Sequence, residues 1–149
     1  MATAQDAELI LKLYDLRREP VLREARAFML GTFWPNTADE YLAVQRDFGE
    51  QNNAYLRQFI GYWEMAAALV LRGALDADLF FDTNNELFFV FAKILPIRAE
   101  LQSKAGINFM PRTAELLEKF PVAKERFEGT KKAVEMRRGQ RNVARKVDL

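Results

Sequence analysis

The chain has 149 residues, a net charge of +1 and a hydrophobic fraction of 50%, the proportions of one globular domain that buries its own core without staples. It contains neither cysteine nor histidine. That excludes disulfides, thiolate and imidazole metal sites, imidazole-assisted nucleophiles and a histidine pH switch.

Apolar residues recur at helical spacing throughout, and no run alternates like a strand. In Met1–Glu19 the apolar positions are interrupted by Lys12, Asp15, Arg17 and Arg18. This is not a secretory signal, and a cytoplasmic location is expected. A first helix is predicted over Asp6–Arg18. Pro20 opens a second, which carries Val21, Leu22, Ala25, Phe28 and Met29 and ends at Gly31 and Trp34-Pro35-Asn36. Thr37 and Glu40 form a capping box for a third. The fourth, from about Asn52 to Arg72, places Leu56, Phe59, Ile60, Trp63, Ala67 and Val70 on one face, with Gly73 as its stop.

Asp76 caps a short helix through Phe81, and a second capping box, Thr83 and Glu86, opens the segment Leu87–Ile97. That segment, LFFVFAKILPI, is apolar around nearly its whole circumference and too short to cross a bilayer. Leu87, Val90, Phe91, Ile94 and Leu95 form its core stripe. Phe89, Lys93, Pro96 and Ile97 lie on the other side, where Lys93 is expected to snorkel to water or to border a subunit contact. Pro96 should kink this helix or end it. Two further helices, Thr113–Phe120 and Val122–Arg138, are divided by Pro121.

The fold class is therefore all-α, a single-domain irregular bundle of six to eight helices with a Phe-rich central helix. The bundle is assigned to residues 1–130, and 131–149 to a basic helix end or tail. That tail carries Lys131, Lys132, Arg137, Arg138, Arg141, Arg145 and Lys146 against Glu135 and Asp148, a surplus of five positive charges, and the remainder has four more acidic than basic residues. Such a tail contacts nucleic acid through phosphates or is a solvated terminus. It contains no aromatic residue and follows no recognition helix, so base readout is not suggested.

Motifs for chemistry are missing. Counted from Asp76, the calcium-loop positions that need oxygen, glycine and glutamate hold Phe80, Phe81 and Leu87. The glycines form no phosphate cradle, and the only serine, Ser103, sits in a polar run. No cofactor or metal is expected. Glu64, in Tyr62-Trp63-Glu64-Met65-Ala66, stands out as a carboxylate with little charge around it. It is either a ligand anchor with a raised pKa, the partner of Arg57, Arg72 or Arg98 in an ion pair, or a half-exposed residue.

The segment Tyr62-Trp63-Glu64 to Arg72-Gly73-Ala74-Leu75, followed by Asp78-Leu79-Phe80-Phe81, resembles a family of bacterial helical domains of unknown function, as does Arg23-Glu24-Ala25-Arg26. The resemblance spans roughly residues 15–105 and implies an all-α fold with no activity to carry over.

Three functions follow as expectations. The first is a non-enzymatic domain that works through protein contacts, chiefly with itself as a dimer. The second is a small-molecule-binding bundle with an apolar pocket lined by Phe59, Trp63 and Phe88 and anchored by Glu64, with Arg98 nearby. The third is a nucleic-acid-associated factor using Arg137, Arg138, Arg141, Arg145 and Lys146. No contact with a membrane is expected.

Overall fold

Short-range caps set where the helices begin. In the computed structural model, which describes residues 1–148, Thr3 and Asp6 form a reciprocal capping box that opens α1 (Ala4–Arg17). Pro20 opens α2 (Pro20–Ala27), whose first turn is capped by Glu19 accepting from the Leu22 amide at 2.9 Å. α2 runs directly into a π-helical segment, Phe28–Thr32, closed by the Phe33 amide donating to the Phe28 carbonyl. The remaining helices are α3 (Ala38–Gln45), α4 (Gln51–Leu71), α5 (Ala77–Thr83), α6 (Glu86–Ala105), α7 (Pro111–Lys119) and α8 (Pro121–Val147). No strand occurs among the described residues, and none of these helices is long and apolar enough to cross a membrane.

Local expectations met different fates. Asp76 caps α5 through the Leu79 amide at 2.9 Å, as its position predicts. The Thr37 hydroxyl accepts from the Glu40 amide, but the Glu40 carboxylate reaches past Thr37 to the Asn36 amide. The Thr83–Glu86 box does not form. Thr83 instead donates back to the Leu79 carbonyl, and Arg26 of α2 draws the Glu86 carboxylate into a two-point ion pair, at 2.5 and 2.9 Å. Neither a stop nor a restart occurs at Pro96, which lies inside an unbroken α6. The proline supplies no amide to the preceding turn. The carbonyl that loses this donor is that of Ala92, and the next one along, that of Lys93, accepts from Arg138 Nη2 at 2.6 Å.

The core gathers between α4 and α6. Phe59, Trp63, Ala66 and Ala67 on α4, and Leu87, Phe88, Val90 and Ile94 on α6, are fully buried. Aromatic contacts run from Phe59 through Trp63, Phe80, Phe81 and Phe88 to Phe127. A second line passes from Phe28 through Phe33, Tyr41 and Phe109 to Phe91, which also meets Phe127. Each such ring contributes on the order of 2 kcal/mol by burial. α2 lies along α4, and α8 lies along α6. Residues 131–147 of the predicted basic helix end or tail are thus the second half of a docked helix, and Leu149 lies outside the described residues.

Candidate functional site: a cationic cap on the π segment

A helix ends with carbonyls that have no amide partner, and these attract donors and positive charge. The π segment ends in this way beneath Trp34. Lys93, only 1% exposed, points inward and donates from Nζ to the Met29 carbonyl and, at 2.5 Å, to the Phe33 carbonyl. Its Nζ also lies 4.5 Å from the centre of the Trp34 ring, a favourable cation–π distance. The Trp34 indole donates to the Gly31 carbonyl at 3.1 Å. Arg138 donates to the Pro35 carbonyl and to Asn36 Oδ1, and its guanidinium, like that of Arg141, faces Trp34.

Three cations therefore surround one indole with no carboxylate in an ion pair with any of them among the described residues. Burial pushes the Lys93 ammonium down to about 7, and the charges of Arg138, Arg141 and Arg137 push the same way. Burial lowers Arg138 as well. The expected snorkelling of Lys93 is overturned. Carbonyls freed at the π segment hold its amine inside.

The other expected contact residues divide. Ile97 is buried at 5% exposure, whereas Phe89 is half-buried with its ring edge-on to Trp34, and Pro96 is exposed. Phe89 and Pro96 line separate surface grooves, of about 470 and 440 Å³, on opposite sides of α8.

Glu64 and Arg98 act elsewhere, on the turn before α7. Glu64 Oε1 accepts from the Arg112 amide at 2.9 Å, and Oε2 from the Thr113 amide and hydroxyl at 3.0 and 2.9 Å. The carboxylate is thus a helix N-cap delivered from α4, and its expected ion pair with Arg57, Arg72 or Arg98 does not form. Arg57 bonds Asn53, and Arg98 donates to the Phe109 carbonyl and to Asn108. Between those anchors Met110 adopts φ 44°, a left-handed conformation unusual for a side chain with a Cβ. Phe59, Trp63 and Phe88 are completely enclosed, so side chains fill the interior expected to hold a pocket beside Glu64.

Of the five tail residues, Arg138 and Arg141 are engaged with carbonyls of residues 31, 35 and 93. Arg137, Arg145 and Lys146 remain exposed. Sequence reasoning missed Trp34 and the π segment. The available signal was the lone lysine of an apolar helix, but its partners are backbone carbonyls, which no residue type marks.

Fold and site together define an all-helical domain that settles its buried charges on helix ends. The chain belongs to the family described as Domain of unknown function (DUF4760), which matches residues 2–120. Comparison with curated proteins and with solved structures found no match. α8 lies outside the matched range.

Proposed function

We propose that this chain is a non-enzymatic helical domain acting through protein contacts, first of all with a second copy of itself. The observation that carries this reading is an uncovered stripe on α8. Met136, Val143 and Val147 are 69%, 63% and 79% exposed. At about 100° per residue their i, i+7, i+11 spacing puts them within one narrow arc, opposite the side that buries Phe127 and Val134. Stripes of this period pair helices between chains.

Lys93 is the one group whose perturbed pKa invites a catalytic reading. Its amine is sealed at 1% exposure and held by two carbonyls, which gives a substrate no approach. The filled interior beside Glu64 and the engagement of Arg138 and Arg141 likewise favour protein contacts over a small molecule or nucleic acid.

Sedimentation equilibrium tests the proposal. The expected result is a dimer at high concentration that Met136→Glu with Val143→Glu converts to a monomer without lowering the melting temperature. A wild-type monomer at millimolar concentration overturns the self-association reading.

A further inference from the structure

The groove on the Phe89 side of α8 carries a separate inference, independent of the outer stripe. Its apolar floor is Ala27, Leu30 and the half-buried ring of Phe89, with Gly31 in the wall. Its volume of about 470 Å³ falls within the range of pockets that take ligands or a few side chains.

The charge around it is one-sided. Glu86 lines the groove but is already neutralised by Arg26. Arg137 stands at the rim, exposed and without an ion pair, and none of the seven Lys/Arg of residues 131–149 has one among the described residues. Glu135 offers no relief. It lies about 200° around α8 from Arg137 and lines the opposite groove beside Pro96.

An apolar floor beside unneutralised arginine is complementary to a partner with the reverse pattern. We propose that this groove docks an acidic amphipathic helix of a partner protein, its apolar face on Leu30 and Phe89 and its carboxylates on Arg137. The mode is helix-in-groove recognition, with anchors one turn apart. Nucleic acid suits the groove less well, because the floor of Ala27 and Leu30 is largely aliphatic and offers bases little to stack on.

Fluorescence anisotropy on the full chain provides the test. The probe is a labelled amphipathic helix with leucines at i, i+3, i+4 and i+7 and glutamates elsewhere, compared with the same peptide carrying lysines. The acidic probe is expected to bind at least roughly tenfold more tightly, and less so as salt rises. Arg137→Glu should weaken it by roughly tenfold or more. Gly31→Trp should block the groove, since a Cβ at Gly31 meets nothing within 4 Å and the side chain enters open space, and an unchanged melting temperature serves as the control for folding. Equal binding of the two peptides, or indifference to both substitutions, overturns the proposal. So does displacement of the probe by single-stranded DNA, which reassigns the groove to nucleic acid. Loss of probe binding as protein concentration rises reassigns it to a second copy. A chain that stays monomeric yet binds the acidic probe removes self-association and leaves the groove proposal standing.

Discussion

Glu64 and Lys93 are both charged side chains buried in the bundle, and neither has a charged partner of opposite sign in contact among the described residues. Glu64 meets the amide end of α7, and Lys93 meets the carbonyl end of the π segment. In each case a helix terminus supplies the complementary partial charge. The surroundings then separate them. Glu64 accepts two amides and a hydroxyl, whereas Lys93 lies among three arginines on α8, and burial with that like charge depresses it toward neutrality. A helix end thus satisfies a buried ion of either sign, and at Lys93 burial, reinforced by the neighbouring arginines, brings the amine close to neutrality.

Removing the carboxylate tests one half of the comparison most severely. Glu64→Ala leaves two amides and the Thr113 hydroxyl without their acceptor and is expected to cost about 3 kcal/mol in urea unfolding. Glu64→Gln, which retains one acceptor oxygen, should lose less.

The second half is tested by pH. Lys93 is held near 7 in the fold, against 10.5 ordinarily, so between these values the unfolded chain binds a proton that the folded chain does not. Stability should therefore rise with pH through this window, by up to ~1.4 kcal/mol per unit, and be lowest below pH 7, where both states are charged. Denaturation followed from about pH 7 to 9.5 checks this, and Lys93→Met should abolish the rise. Higher pH is unsuitable because burial raises Tyr41 and Tyr62, the latter to about 12, and their contribution has the opposite sign. A flat wild-type profile would remove the distinction between the two sites.

Smaller effects sharpen it. Arg138→Met leaves the Pro35 and Lys93 carbonyls without their donor and should cost about 1–2 kcal/mol. Arg141→Gln removes a like charge near the amine while leaving Lys93's carbonyl partners in place. The Lys93 midpoint, followed by NMR of its side chain, should move upward.

The helices themselves were legible because their signals are local. Pro20, Asp76, Gly73 and the apolar stripe of α4 each act within a turn or two of where they stand. The two buried charges could be singled out for the same reason, as lone ions in apolar runs. Their partners could not be read. Glu64 bonds residues 48 and 49 positions away and Lys93 residues 64 and 60 positions away, and apart from the Thr113 hydroxyl these partners are backbone atoms that no residue type marks. Glu86 shows the same limit, since a cap that fits its sequence position yields to an arginine 60 residues distant. Pro96 is expected to kink or end its helix because the missing amide is a local signal, whereas the helix that packs beside it and donates to the Lys93 carbonyl comes much later in the chain.

The π turn gives the Lys93 site a dependence on chain length. Such a turn is an α-helical ladder holding one residue more than it needs, and each residue advances the helix by about 100°. Everything after Thr32, including Trp34, therefore leaves α2 more than a quarter-turn out of phase with the stripe that buries Ala25 and Met29. That offset delivers the indole and the freed carbonyls to the amine of α6. A single-residue deletion within 28–32 would restore the regular ladder and dismantle the cap, even though every side chain that contacts Lys93 was still present.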